Sequence, residues 1–302
     1  MKDIKGTTVV CGLIGNPVAH SISPLIHNTL AQLRGDDLVY VPFKVEENRV
    51  EEAVKGAYAL NVLGMNVTVP HKQHVLQALV ETDSIAQAIG AVNTLVRTTK
   101  DGISGYKGYN TDITGLFRAM KSDEVSIENE DIIVLGAGGV GRAVTYMCAA
   151  NGARSVVLLN RDAAKAKAVA AEVNRELGTD LVTAMALSDY KNVLTGEENR
   201  YIVIQCTSVG LAPNTDYAVI EDGDFYLYIK YGYDLIYTPW ETKFMKLVEA
   251  GGGVAYNGLK MLLYQGIDAF ELWNHCKISE ESALKVYEIL RRNVCKEEGC
   301  VL

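Results

Sequence analysis

Seven residues, Asn66 to Lys72, read NVTVPHK. Val67 and Val69 alternate with Asn66 and Thr68, the pattern of a strand whose successive side chains point to opposite faces. One face is therefore apolar. The other carries an amide and a hydroxyl, and Lys72 follows just past Pro70. By the same alternation His71 faces the other way, which sets it aside as an acid. Comparable polar residues stand at the ends of other apolar runs: Ser21 and Ser23, Asn93 and Thr94 in GAVNT, and Asn110-Thr111-Asp112. Open α/β sheets bind ligands at the carboxyl ends of their strands. This inventory of donors and acceptors suits a polyhydroxylated acid. Each residue has a plainer use as well: Ser23 or Asp112 as a helix cap, Asn93 in a turn, Lys72 on a helix-start surface. Their gathering at successive strand ends favours ligand binding.

A second constellation is GAGGVG, the residues Gly136, Ala137, Gly138, Gly139, Val140 and Gly141. It follows the apolar run Ile132 to Leu135 and opens a helix, the context a dinucleotide site needs. Gly136 allows a tight turn, Gly138 lets the backbone approach a pyrophosphate, and Gly141 permits close helix–strand contact. The helix N-terminus adds partial positive charge. NAD sites place an acidic residue roughly 20 residues beyond the motif, on the ribose 2′-hydroxyl. Here Asn160-Arg161 stands at that strand end, with Lys165 one helical turn on. Arg161 and Lys165 would pair with a 2′-phosphate, so NADP is the expected cofactor. Asp162 either caps the next helix or touches a ribose.

The elements that must hold these residues alternate. Strands are expected at VVCGLIG, Leu38 to Phe43, VLGMNVTV and Ala91 to Val96, with helices from Ser23-Pro24, from about Glu46 to Ala59 and from Gln73 to Val80. That order implies a mainly parallel sheet flanked by helices. A second unit begins near Ser126. Its strands are DIIVL, Ser155 to Asn160, Leu181 to Ala186, Tyr201 to Cys206, Tyr233 to Tyr237 and Val254 to Tyr256, and its clearest helix is Ala163 to Leu177. Six strands are what a doubly wound dinucleotide fold requires. Beyond them lie only helices, 258–276 and 279–294, expected to return to the first domain. The resulting division is an α/β first domain of residues 1–112 completed by 258–302, and a Rossmann-type domain of 113–257. A cleft between the two is expected, with chain crossings at Asn110 to Ile113 and at Tyr256-Asn257-Gly258, closing to exclude water.

The 302-residue chain has an ordinary globular composition, 22% charged, with a net charge of −8 and no basic tract, which argues against nucleic acid. No uncharged apolar run reaches the roughly 18 to 20 residues of a membrane span. Lys2, Lys5 and TTVVCGLIG loosely imitate a signal peptide, but Gly12, Gly15 and Asn16 break the run, and a first strand is the better reading. The cysteines at 11, 148, 206, 276, 295 and 300 form no CxxC pair, and no histidine lies at zinc spacing, so no metal and a reducing, cytoplasmic setting are expected. Cys295 and Cys300 lie in a charged tail, where oxidation in vitro would carry no functional weight.

Taken together, GNPVAHSISPLIHN, NVTVPHK, GAVNT, YNTD, GAGGVGRA, NRDAAKA, CTSVG, YTPWETKF and NGLKMLLYQG, in that order along almost the whole chain, resemble the shikimate dehydrogenase family. The resemblance implies NADPH-dependent reduction of 3-dehydroshikimate to shikimate, on the route to chorismate and the aromatic amino acids, by a monomer or homodimer. It implies a catalytic pair, Lys72 and Asp112. It also implies that Ser21 and Ser23 bind the substrate carboxylate with Tyr233 nearby, that Asn66, Thr68, Asn93, Asp112 and Gln265 hold the ring hydroxyls, and that Thr207, Ser208 and Gly258 lie against the cofactor. Cys206, Thr238 and Leu211 depart from the usual pattern on the cofactor side. The alternative within the superfamily is a quinate or quinate/shikimate dehydrogenase. Ser23 favours shikimate, since quinate-preferring relatives often carry threonine there. A non-catalytic dinucleotide sensor is disfavoured by the intact Lys72 and Asp112.

Overall fold

The computed structural model describes residues 4–194 and 200–298; Lys2 and Cys300 lie outside them. The chain forms two compact units. One runs to Gly115 and takes in Leu262–Leu290, and the other comprises Leu116–Met261 and the chain from Arg291.

The first unit contains β1 (Val9–Gly15), α1 (Ser23–Arg34), β2 (Leu38–Lys44), α2 (Val50–Ala59), β3 (Gly64–Val67), β4 (Glu81–Thr82), α3 (Ser84–Ile89), β5 (Thr94–Lys100) and β6 (Ile103–Tyr109). Helix α4 (Thr111–Ser122) leads out of it. The sheet order is β2-β1-β3-β5-β6-β4. All four residues of β3 are buried, as befits a strand flanked by others and covered on both faces. The core around it includes Ile14, Met65, Val67, Val92, Leu95 and Tyr106.

This sheet is mainly parallel, but β5 runs antiparallel to both β3 and β6. The β5–β6 hairpin was not expected. Its turn is Asp101-Gly102, with φ of 51° and 79°, the two positive values that a type I′ hairpin turn demands. The expected strand over Ala91 to Val96 starts only at Thr94, because Val92 N–H is already used on Lys72 O (2.8 Å). The expected strand VLGMNVTV ends at Val67. Beyond it the chain turns, with His71 N–H donated to Thr68 O (2.9 Å), so the alternation fails and Val69 is exposed. The helix expected from Gln73 is a short 3₁₀ turn, His74–Ala78.

The second unit contains β7 (Asp131–Leu135), α5 (Gly139–Ala150), β8 (Ser155–Asn160), α6 (Ala163–Leu177), β9 (Val182–Ala186), β10 (Tyr201–Gln205), α7 (Gly223–Tyr226), β11 (Ile229–Asp234), α8 (Lys243–Ala250) and β12 (Val254–Tyr256). Its sheet is wholly parallel, ordered β12-β11-β10-β7-β8-β9. That is the dinucleotide-binding order, 3-2-1-4-5-6 read from the other edge. The strand expected over Tyr233 to Tyr237 lies four residues earlier. Asp234 ends it by accepting Ile236 N–H on its own carboxylate (3.0 Å), a side-chain turn that draws the backbone out of the ladder. Helices α9 (Leu259–Asn274) and α10 (Glu280–Glu298) complete the chain, and the division between units falls inside each. Within the first unit Trp273 of α9 donates to Leu95 O (2.9 Å). Among the described residues no helix is long and apolar enough to cross a membrane.

Candidate active site

The antiparallel course of β5 builds the candidate substrate site of the first unit. It places Thr94, at the start of β5, opposite Asn66 of β3 and Tyr109 at the end of β6. The residues before β5 therefore meet the carboxyl ends of two other strands, and α4 starts beside them. Asn110 caps that helix by accepting Asp112 N–H (3.1 Å) and donates to Ala91 O (3.0 Å). Asp112 is thus in the first helical turn and is no cap. A carboxylate there is favoured by the helix dipole.

Lys72 Nζ donates to Asp112 Oδ2 at 2.6 Å, and Asn93 Nδ2 donates to Asp112 Oδ1 at 2.9 Å. Lys72 stays 26% and Asp112 14% exposed, so the pair is held by the protein yet open to a ligand. Asn93 and Asn66 are buried. Asn66 Oδ1 accepts from Tyr40 Oη (2.8 Å), and its Nδ2 donates to Thr94 Oγ1 (3.1 Å) and Asn93 O (3.3 Å). Burial drives the Tyr40 phenol pKa well up, and the Ser23 side chain is its polar neighbour. Ser23 is the first residue of α1 and is not its cap. Its N–H is donated to Ser21 Oγ (3.3 Å), which leaves the Ser21 hydroxyl proton free for a ligand. Thr68 N–H is bonded to Ile14 O (2.9 Å), and its methyl stands where a side chain on Gly15 would be. Gln265 of α9 lies against α4: a Cβ on Gly115 would come within 2.6 Å of its backbone nitrogen.

His71 is fully buried and bonded through Nε2 to Val45 O (2.8 Å). It ties the loop after β3 to the rest of the unit. Tyr233 is placed on β11, in the second unit. It is buried, stacked on Tyr256 with centroids 4.7 Å apart, and its hydroxyl is donated to Asp123 Oδ2 (3.1 Å). Burial first, then the Asp123 carboxylate, raise its pKa.

The candidate nucleotide site of the second unit lies at the carboxyl end of β7. Gly136 has φ +105°, and a Cβ on Gly141 would fall 1.8 Å from Gly136 O, so both need glycine. Gly138 and Gly139 are exposed, and nothing lies within 4 Å of a Cβ built on either. The start of α5 has no side-chain cap bond. Free N–H groups facing open space suit a pyrophosphate. Asn160 Oδ1 accepts Ala137 N–H (3.2 Å), which ties β8 to the glycine turn. Asp162 is the cap of α6, accepting Lys165 N–H (3.1 Å). Arg161 and Lys165 are exposed. Thr207 packs its methyl against Gly136 and accepts Val209 N–H (3.1 Å) on its hydroxyl, and Ser208 is exposed. Gly258 makes a close backbone approach, since its Cβ would lie 2.2 Å from Leu235 O.

Two family models match this chain. The model described as "Shikimate dehydrogenase substrate binding domain" covers residues 13–95, and "Shikimate / quinate 5-dehydrogenase" covers 118–214. A relative from Methanothermobacter thermautotrophicus named shikimate dehydrogenase (NADP(+)) is 36% identical over 89% of this chain and 92% of its own length. The chain belongs to the shikimate dehydrogenase family. Another member, from Caldanaerobacter subterraneus subsp. tengcongensis, is 40% identical over 89% of this chain and 93% of its own. A solved shikimate 5-dehydrogenase from Listeria monocytogenes, in complex with shikimate and NAD, superposes with a TM-score of 0.86. Its identity is 30%, covering 96% of this chain and 99% of the other. A shikimate dehydrogenase solved with NADP+ gives 0.85 at 33% identity, covering 95% and 97%.

In this member of the family, sequence reasoning missed the part played by Tyr40. Tyr40 sits mid-strand in an apolar run, where a tyrosine reads as core. Its signal was the hydroxyl itself, since a buried Tyr O–H needs a partner.

Proposed function

We propose that this chain interconverts 3-dehydroshikimate and shikimate with NADP, within the route to chorismate. The observation that carries the proposal is the Lys72–Asp112 ion pair, 2.6 Å long, standing in a cluster of amide and hydroxyl groups. In this reading the first unit binds the substrate and the second the dinucleotide. Ser21 and Ser23 hold the substrate carboxylate. Asn66, Thr68, Asn93, Asp112 and Gln265 share the ring hydroxyls. Tyr233 lies in the second unit.

When bound, the dinucleotide supplies or accepts the hydride. In reduction the substrate's C3 carbonyl oxygen gains negative charge. The Lys72 ammonium stabilises that charge and gives the oxygen a proton. In oxidation the same amine takes the proton back. Asp112 orients the amine through Oδ2, while Asn93 holds Oδ1. The glycine turn and the start of α5 receive the pyrophosphate, with Thr207, Ser208 and Gly258 beside the dinucleotide. Arg161 and Lys165 meet the 2′-phosphate; β8 ends in Asn160 where NAD sites carry an acid, and the Asp162 carboxylate is engaged in capping α6.

Steady-state kinetics with shikimate and quinate, each with NADP+ and NAD+, test this reading. The highest kcat/KM is expected for shikimate with NADP+. A higher value for quinate with NAD+ would overturn it.

A further inference from the structure

We infer that Thr94 is a positioning residue for the Lys72–Asp112 pair, acting with Thr111 to hold the Asn93 amide oxygen in place. The inference rests on the proposed role of that pair and goes one step behind it.

Groups that can only donate or only accept set the sense of the two amides. Asn93 O can only accept, so Asn66 turns its NH2 to it (3.3 Å) and to Thr94 Oγ1 (3.1 Å), and takes the Tyr40 hydroxyl on Oδ1 (2.8 Å). Thr94 Oγ1 also lies 3.1 Å from Thr111 Oγ1 and 3.0 Å from Asn93 Oδ1. A hydroxyl has one proton and two lone pairs. Thr111 Oγ1 stands 3.2 Å from the same amide oxygen, so the Thr94 and Thr111 hydroxyls together face Asn93 Oδ1, while Thr94 accepts from Asn66. That oxygen also takes Thr111 N–H (2.7 Å), a group that can only donate.

The consequence falls on Asp112. With its oxygen committed, Asn93 presents NH2 to Asp112 Oδ1 (2.9 Å), which leaves Oδ2 for Lys72 (2.6 Å). The inverted amide would set one acceptor against another. Asn66, Asn93, Thr94 and Thr111 are all buried, and water cannot substitute for a missing partner there. The Asn93 carbonyl and the Thr111 N–H set the sense of the hydrogen-bonded chain, and the Thr94 hydroxyl joins the two amides.

The test compares Thr94→Val, which keeps the branch and removes the hydroxyl, with Thr94→Ser, which keeps the hydroxyl. For Thr94→Val, shikimate kcat should fall by about tenfold to a hundredfold, the cost of a misplaced catalytic group. KM for the dinucleotide should hold within about twofold and Thr94→Ser should regain most of the wild-type kcat, because only the lysine's alignment is affected. A separate readout needs no turnover. Hydrogen exchange of the Asn93 side-chain NH2, followed by NMR, should quicken in Thr94→Val and return to the wild-type rate in Thr94→Ser. Should Thr94→Val fail to fold, Tyr40→Phe gives the same two readouts with a smaller loss. Unchanged kcat and exchange in Thr94→Val, or a Thr94→Ser as impaired as Thr94→Val, would overturn the inference. If no variant or wild-type chain turns over shikimate, the functional reading fails, and the exchange result alone decides the role of Thr94.

Discussion

The two units build their candidate sites from different materials. The end of β3 and the start of α4 use side chains, each amide and hydroxyl bonded to the next, from Tyr40 to Lys72. The end of β7 uses backbone: a glycine turn, an uncapped helix start, and open space over Gly138 and Gly139. The difference follows from what each site would meet. A hydroxylated ring must be read group by group, which calls for placed side chains. A pyrophosphate needs only converging N–H groups and room to approach. The side-chain site is therefore sensitive to single hydroxyls, and the backbone site to added bulk or lost charge.

Two substitutions sharpen the contrast, the larger effect first. Arg161 is an exposed cation at the backbone site, so Arg161→Ala should cost affinity without disturbing any network. The expected rise in KM for NADP+ is about tenfold or more, one charge-assisted contact, with KM for NAD+ nearly unchanged. Equal losses with both dinucleotides would mean that Arg161 does not read the 2′-phosphate.

The smaller effect concerns Asp234, the second unit's own buried polar cluster. Its carboxylate accepts from Thr242 Oγ1 (2.7 Å), Ile236 N (3.0 Å) and Gln205 Nε2 (3.2 Å). Unlike Asp112 it is bonded to neutral groups, and burial pushes its pKa up to about 6 against those three bonds. The folded chain then holds a proton that the unfolded chain has lost, between about pH 4 and pH 6. Stability from this group is therefore greatest at acid pH and falls as pH rises through that window, by up to about 3 kcal/mol. Urea unfolding of Asp234→Asn at pH 4 and pH 6.5 should lack that decline relative to wild type. Parallel pH dependence of the two proteins would show that Asp234 ionises normally.

The same contrast explains what could be read in the sequence. The backbone site is local. GAGGVG, Asn160 and Arg161 lie within one β-α-β stretch, and β8, α6 and β12 fall where periodicity and caps put them. The side-chain site joins five separate segments. Lys72, Asn93 and Asp112 can be picked out by type and motif, but their bonding depends on β5 running antiparallel. The one short-range signal for that was Asp101-Gly102 between two alternating runs. Without the hairpin, the apposition of Thr94 with Asn66 is invisible, and Tyr40 is merely an aromatic residue in a strand. The misplacement of β11 has a similar origin: Asp234 terminates it through a bond to Ile236 N that the apolar run Leu235-Ile236 conceals.

The central claim is that Lys72 delivers and removes the proton while other residues hold the substrate. Replacing it by Met, which keeps an unbranched stem without the amine, tests this most directly, through kcat for shikimate oxidation beside shikimate affinity from equilibrium titration. The account predicts a fall in kcat of about 10²- to 10⁴-fold, the usual worth of a general acid–base group, with affinity held within a few-fold. A Lys72→Met enzyme that keeps wild-type kcat, or one that loses affinity and not turnover, would contradict it.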